Sequence, residues 1–161
     1  QLIAGNQLAS EGSVDYEYEA KKIDAEKINH YLSFASPYLE LIEEYTLREI
    51  ISFHAQFKHF YEGLGVDSII ELTGLSKSSD KELKYYSSGM KQRVRLALAI
   101  MSKTPLLLLD EPTSNLDKKG IDWYNELIEK YKDNRIILVC SNHQLHEYGF
   151  CAKEISMEDY K

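Results

Sequence analysis

The chain has 161 residues, of which 43% are hydrophobic and 28% are charged, and these ordinary globular values argue against disorder. Its net charge of -7 argues against a general surface for nucleic acid or for an anionic membrane. No apolar stretch has the length of a transmembrane helix, so we expect no direct insertion into a membrane.

The first segments predict a helix end followed by extended chain. Residues Gln1–Gly5 are typical of the last turn of a helix that is closed by a glycine. Residues Ser13–Tyr18 alternate between polar and apolar side chains. Residues Ile28–Ala35 predict a strand, and it leads into the loop at Ser36–Leu41.

Two short helices are predicted next. Thr46 and Glu49 have the spacing of a capping box, and apolar residues follow at helical spacing over Leu47–Tyr61. A second helix is predicted over Val66–Leu75. We interpret His54, on the first of these helices, as a packed or half-exposed residue rather than a ligand.

The third predicted helix runs from about Gly89 to Met101 and begins with small residues. Ser87 and Ser88 are good N-cap residues, and Gly89 lets the backbone come close to a ligand. Free amides at the helix start, together with the helix dipole, make an anion site. Three basic residues are expected to add positive charge nearby: Lys91, Arg93 and Arg95. An ordinary capped amphipathic helix is the alternative that these residues leave open.

A buried parallel strand is predicted over Leu106–Leu109, because four leucines in a row lie between Pro105 and Pro112. A buried helix is the alternative. Asp110 and Glu111 then follow at the carboxyl end of the strand, where α/β proteins bind ligands. Asp110 is suited to hold Mg²⁺, and Glu111 is suited to orient or deprotonate a water molecule. Two acids in a solvated loop are the alternative.

The rest of the chain predicts one more helix and two strands. Asp117 is a candidate N-cap for an amphipathic helix over Ile121–Tyr131. Residues Arg135–Cys140 predict a buried strand that brings His143 to the same sheet edge as the two acids. Residues Lys153–Met157 predict a last short strand.

Three motifs in this order resemble those of the ATP-binding cassette (ABC) ATPases, closest to the transporter subunits. Residues Tyr86–Met90 resemble the signature motif, Leu106–Glu111 resemble Walker B with the catalytic glutamate, and Ser114–Asp117 resemble the D-loop. The signature departs from the usual residues at three positions: Tyr86, Ser88 and Met90. It keeps the serine and the glycine that carry the phosphate contact in the family.

The resemblance implies an α/β fold with a P-loop NTPase-like parallel sheet core, incomplete because the Walker A strand is missing, and an inserted helical subdomain. The whole chain, 1–161, would be a partial ATPase domain. Its core would comprise residues 1–45 and 104–161, and its helical subdomain would span about 46–103.

The resemblance also implies ATP and Mg²⁺ as cofactors and assigns the site residues. Asp110 would hold the metal, Glu111 would activate water, and His143 would contact the γ-phosphate. The remaining residues assigned to the nucleotide are Ser87, Ser88, Gly89, Met90, Ser114 and Asp117. Asp117 would also take part in communication across a dimer.

Two departures from the family pattern bear on activity. None of the eight glycines is followed by lysine, so the phosphate-binding G-x-x-x-x-G-K-[ST] loop is absent from these residues. Residues Leu2–Gly5 and Ser10–Val14 resemble family sequence just after Walker A, so we expect the chain to begin there and to be inactive alone. A natural protein without Walker A is the alternative. Pro37 occupies the position of the Q-loop glutamine and offers no side-chain ligand, which leaves Ser36 as a weak substitute.

The function implied by the resemblance is that of an ABC transporter subunit that binds and hydrolyses ATP to energise a separate transmembrane permease. Its second partner would be another ATPase domain in a head-to-tail dimer. The location would be cytoplasmic, peripheral on the inner face of the cell membrane, where Cys140 and Cys151 would be reduced. A soluble ABC-type ATPase acting on nucleic acid and a non-catalytic partner that donates only its signature are the alternatives.

Overall fold

The computed structural model of the protein describes residues 2–132 and 134–160. In this part of the chain, no helix combines the length and the apolar character needed to cross a membrane. Residues 2–5 form a turn in which the Gly5 amide donates to the Leu2 carbonyl at 3.0 Å, with a Gly5 φ of 73°. The left-handed glycine agrees with the predicted helix end. Gln1, the first residue of that prediction, lies outside the described residues.

In the described residues, five strands form two sheets. The first is an antiparallel hairpin of β1 (Tyr16–Tyr18) and β2 (Lys21–Ile23). The second has three parallel strands in the order β3-β4-β5, with bounds Leu32–Ala35, Leu106–Asp110 and Ile136–Cys140. A parallel sheet with helical connections confirms the predicted α/β class.

The α-helices are α1 (Leu47–His54), α2 (Val66–Thr73), α3 (Ser88–Met101), α4 (Lys118–Tyr131) and α5 (Leu145–Tyr148). Four 3-10 helices complete the described structure: Ala25–His30, Ser76–Ser78, Leu83–Tyr85 and Met157–Tyr160. Helices α1, α2 and α3 lie between β3 and β4 in the chain and pack on one another. This arrangement is compatible with an inserted helical subdomain, whose boundaries stay a prediction.

Local capping bonds begin the longer helices as predicted. Thr46 and Glu49 form the reciprocal capping box of α1. The Ser87 hydroxyl accepts from the Met90 amide at 3.2 Å at the start of α3. The Asp117 carboxylate accepts from the amide of the residue three positions on at 2.8 Å at the start of α4.

Strand β4 is the centre of the fold. Leu107 and Leu109 are 0% and 1% exposed and pack in the main core with the helices. Leu108 points to the opposite face and packs with a second cluster that contains Ala4 and Ile28. Burial on both faces explains the unbroken leucine run and confirms the strand prediction.

Two predicted elements are shorter than their patterns. The strand predicted over Ile28–Ala35 begins only at Leu32, because the residues before it form a 3-10 helix. The helical spacing to Tyr61 is not continued as helix beyond His54. The Tyr61 amide instead donates to the Met101 carbonyl at 3.1 Å, so bonding to the end of α3 replaces further helical bonds.

Two strand predictions at the end of the chain need correction. Strand β5 forms, but it is not buried on both faces, because Ile136 and Leu138 are 64% and 37% exposed. Within the described residues it pairs with β4 alone and lies at the edge of the sheet. The strand predicted over Lys153–Met157 is wrong. Its apolar residue Ile155 is 70% exposed, and the described sheet offers it no strand to pair with.

Candidate functional site

The candidate site lies at the carboxyl ends of the three parallel strands. Ser36 follows β3, Glu111 follows Asp110 at the end of β4, and residues 141–143 follow β5. Parallel pairing places these ends at one edge of the sheet, where ligands of α/β proteins bind. The structure therefore brings together the segments that the sequence pattern selected.

Asp110 is held by Ser36. Ser36 is 3% exposed, and its hydroxyl donates to Asp110 Oδ2 at 3.1 Å, while the hydroxyl oxygen accepts from the Tyr38 amide at 3.3 Å. Mg²⁺ usually takes one or two protein oxygens and completes its shell with phosphate oxygens and water. One carboxylate beside one hydroxyl fits that need, although the described residues contain no cluster of three or more acidic, histidine or cysteine ligands.

Glu111 has a strained backbone. Its φ is 41°, in the left-handed region that residues with a side chain seldom occupy. Its amide donates to the Cys140 carbonyl at 2.8 Å, and its carbonyl accepts from the Ser114 amide at 3.0 Å. Burial, and then the charge of Asp110, raises the pKa of the neighbouring Cys140 thiol above its ordinary value. We call residues 110–114 the acidic turn.

A buried side chain from α3 also holds the acidic turn. Gln92 is 0% exposed, and its Nε2 donates to the Pro112 carbonyl at 3.0 Å. Pro112 directly follows Glu111, so this bond ties α3 to the strained backbone. A buried carbonyl that lost this donor would be left unsatisfied at a cost in stability.

The start of α3, residues 87–90, lies against the loop that follows the acidic turn. A methyl group added at Gly89 would lie 2.7 Å from the Asn115 carbonyl oxygen, so only glycine permits this approach. Ser87 and Ser88 are exposed, while Met90 is half-buried. The structure therefore places the predicted signature and D-loop residues side by side and leaves the serines accessible.

The three basic residues of α3 each bond to another segment of the chain, and their contribution of positive charge near the helix start stays a prediction. Lys91 forms an ion pair with Glu43. Two guanidinium groups bind carbonyl oxygens elsewhere: Arg93 that of Thr73 at 3.1 Å, and Arg95 that of Leu39 at 2.6 Å. These bonds connect α3 to neighbouring helices and loops.

An open cleft of about 370 Å³ lies beside the acidic turn. The residues that line it are Glu111, Thr113, Ser114, Ile121, Asn142, Gln144, His146 and Glu147. His143 is exposed, with a φ of 57°, and does not line this cleft, although both neighbours in the chain contribute to its surroundings. Its predicted contact with phosphate stays a prediction.

Two residues that the sequence reasoning did not use contact the acidic turn. Glu147 is 2% exposed, and its Oε1 accepts from the Thr113 amide at 3.0 Å and from the Thr113 hydroxyl at 2.6 Å. His146, to which the sequence analysis assigned no role, places Nε2 3.0 Å from the same hydroxyl. No local pattern in the sequence points to either contact, since His143 precedes α5 and the bonded residues lie 33 and 34 positions apart in the chain.

Comparison with known proteins decides the family. A family model described as "ABC transporter" matches residues 1–114. This chain belongs to the ABC transporter family. The signature, Walker B and D-loop motifs were assigned by resemblance to this same family. The roles of the individual residues stay predictions.

The ABC relatives include transport ATP-binding proteins. The lantibiotic transport ATP-binding protein SrtF of Streptococcus pyogenes is 30% identical over 94% of this chain and 65% of its own length. The uncharacterized ABC transporter ATP-binding protein YcbN of Bacillus subtilis is 30% identical over 74% of this chain and 43% of its own length. The chain therefore spans less than two thirds of either relative.

A solved ABC structure has the same fold. The dimeric post-hydrolysis state of the ATP-binding cassette MJ0796, bound to ADP and Pi, matches with a TM-score of 0.72 at 22% identity. The match covers 91% of this chain and 69% of that chain. At this identity the likeness establishes the fold, and it confirms the predicted P-loop NTPase-like sheet core.

Proposed function

We propose that the full-length protein hydrolyses ATP and thereby energises transport by a separate transmembrane subunit. One observation carries the proposal: Asp110 and Glu111 end the central strand in a held, strained turn, beside a loop that the start of α3 closely approaches. Family membership supports the reaction class, and the transport names of the relatives support the physiological role.

Each predicted residue takes a role that its surroundings allow. Asp110, oriented by the Ser36 hydroxyl, would hold Mg²⁺, which when bound neutralises charge on the transferred phosphoryl group. Glu111 would orient and deprotonate the attacking water. His143, exposed on the loop after β5, would contact the γ-phosphate. Since Pro37 has no side-chain ligand, we assign the orienting contact in this loop to Ser36.

The exposed start of α3 supports a second ATPase domain as partner. Ser87, Ser88, Gly89 and Met90 would contact ATP held by the partner in a head-to-tail dimer, and Ser114 and Asp117 would lie at the same interface. Free amides at a helix start suit a phosphate. The transmembrane subunit would keep the protein at the inner face of the cell membrane. The names of the relatives mention lantibiotic and bacitracin transport, and at their level of identity we carry over the reaction and not the cargo.

The test is Mg²⁺-dependent ATP turnover by the full-length protein and by its Glu111→Gln variant. We expect turnover to fall by at least about 100-fold while ATP binding is retained, because the general base is lost but the binding groups are not. The exposed Glu126→Gln provides the matched control on α4. The present 161 residues alone are expected to give no turnover, since they contain no G-x-x-x-x-G-K-[ST] loop. Equal turnover by the Glu111 variant would contradict the proposal.

A further inference from the structure

A buried carboxylate on α5 accepts hydrogen bonds from the acidic turn. Glu147 lies 34 residues after Thr113, yet its Oε1 accepts both the amide and the hydroxyl of that residue. Its other oxygen, Oε2, is buried without a hydrogen-bond partner among the described residues. Burying a carboxylate with one oxygen unsatisfied is costly, so the two bonds to Thr113 need an explanation beyond filling space.

Proton counting defines the direction of the bonds. The Thr113 hydroxyl has one proton, which it donates to Glu147 Oε1. The hydroxyl oxygen must then accept from His146, so the donor at 3.0 Å is the Nε2–H of that imidazole. The three side chains form one directed chain, His146 to Thr113 to Glu147.

The backbone of Glu147 is itself hydrogen-bonded to the core. Its carbonyl accepts from the hydroxyl of Tyr124 at 2.8 Å, and Tyr124 is 0% exposed in the core on α4. The backbone of Glu147 is therefore bonded to the main core, in addition to its place in the short helix α5. A rigid anchor of this kind can hold a strained neighbour in place.

The neighbour that needs holding is Glu111. Its left-handed backbone lies two residues before Thr113, and the residue between them is held by Gln92. With Pro112 bonded from α3 and Thr113 bonded from α5, the chain after Glu111 is restrained from two sides.

We propose that Glu147 is a positioning residue for ATP hydrolysis, which holds Glu111 in its productive backbone conformation through the amide and hydroxyl of Thr113. The proposal rests on the proposed function. Glu147 touches neither the nucleotide nor the water; it acts through the acidic turn. Displacement of a catalytic group by about 1 Å can cost about 100-fold in rate, so loss of this contact is expected to lower kcat rather than ATP affinity.

The experiment compares variants of the full-length protein. Thr113→Val removes the hydroxyl but keeps the shape of the side chain, Thr113→Ser keeps the hydroxyl, and Glu147→Met removes both carboxylate oxygens at a similar side-chain length. Glu154→Met, at an exposed position further along the chain, is the matched control. The readouts are kcat and KM for ATP, the unfolding midpoint, and hydrogen–deuterium exchange of peptides covering residues 110–117.

We expect Thr113→Val and Glu147→Met to lower kcat about 10- to 100-fold, with KM changed less than about twofold and exchange of the acidic turn faster. Thr113→Ser and Glu154→Met should remain close to the unsubstituted protein. Unchanged kcat in folded Thr113→Val and Glu147→Met proteins would overturn the positioning role of Glu147 and leave the proposed function standing. If these variants lowered kcat, raised KM and lowered the unfolding midpoint together, the proposal would also be overturned, because that pattern would indicate a structural role.

The proposed function can fail separately. The proposed function would be contradicted if the unsubstituted full-length protein bound ATP but did not hydrolyse it, or if the Glu111→Gln protein hydrolysed ATP equally well. The proposed role of Glu147 in hydrolysis would then be contradicted as well. The exchange measurement would still show whether Glu147 restrains residues 110–117.

Discussion

The acidic turn and the start of α3 are neighbours, but they are held in different ways. Side chains from three other segments restrain the acidic turn: Ser36, Gln92 and Glu147, each at most 3% exposed. The start of α3 is held by its own Ser87 cap and by close approach to Asn115, and its serines stay exposed. Groups that act within their own chain need a fixed position in advance. Groups proposed to contact a partner's nucleotide must remain accessible.

The largest stability effect is expected where the two regions meet. Gly89→Ala would place a methyl group 2.7 Å from the Asn115 carbonyl, and backbone on both sides must shift. We expect the free energy of unfolding of the full-length protein to fall by about 3 kcal/mol. Denaturant unfolding measures it, with the exposed Ser88→Ala as control one position earlier. A Gly89→Ala protein as stable as the control would show that the approach is not tight.

The restraint from α3 comes next. Gln92→Leu keeps the approximate volume but leaves the buried Pro112 carbonyl without its donor. We expect the free energy of unfolding to fall by about 2 kcal/mol, measured by denaturant unfolding. Gln56→Leu, at an exposed position after α1, is the matched control. A loss no larger than that of the control would remove Gln92 from the set of restraints.

A pH effect on stability is expected at His54, which lies outside both the acidic turn and the start of α3. Burial lowers the pKa of His54 from 6.5 to about 4, and its Nε2 lies 2.8 Å from Ser102 Oγ. Because the unfolded chain binds the proton more readily, stability is full above about pH 6.5 and falls as the pH drops towards about 4. We expect a loss on the order of 2 kcal/mol across this window.

His54→Gln should flatten the pH dependence of the unfolding free energy, and His30→Gln, at an exposed position, is its control. An unchanged slope between about pH 6.5 and 4 in the His54 variant would contradict the assignment to this side chain.

The smallest effect is expected at the cap of α3. Ser87→Ala removes the oxygen that accepts from the Met90 amide at 3.2 Å. We expect a loss of about 1 kcal/mol in unfolding free energy, compared with an exposed Ser52→Ala on α1. A loss above that of Gln92→Leu would reverse the comparison, since the α3 start would then be the more strongly restrained region.

Predictions from the sequence succeeded where the controlling interaction is local or where an element is buried on all sides. The caps at Thr46, Ser87 and Asp117 each bond to an amide three residues further on, so the local sequence is sufficient to identify them. The leucines of β4 are buried on both faces of the sheet, and the sequence shows this as an apolar run without polar–apolar alternation. The order of three motifs was also enough to identify the family.

Predictions failed where distant segments compete for the backbone. The spacing that continued α1 towards Tyr61 was overridden by a bond from Tyr61 to Met101, 40 positions further along the chain. The apolar residues of β5 suggested burial, but burial depends on what lies beside the strand, and Ile136 is exposed in the described structure. The sequence also did not indicate that Lys91, Arg93 and Arg95 each bond to a partner on another segment.

The sequence by itself determined the family, the central strand with Asp110 and Glu111 at its end, and the helix caps, because each depends on residues close together in the chain. Only the tertiary structure decided how the acidic turn is held. The Gln92 and Glu147 contacts span 20 and 34 residues, and no local pattern marks either side chain as a partner of that turn. Folding brings them together because α3 and α5, which precede and follow β4 in the chain, both bond to the turn at its end, so residues remote in the chain become neighbours of the same strained peptide.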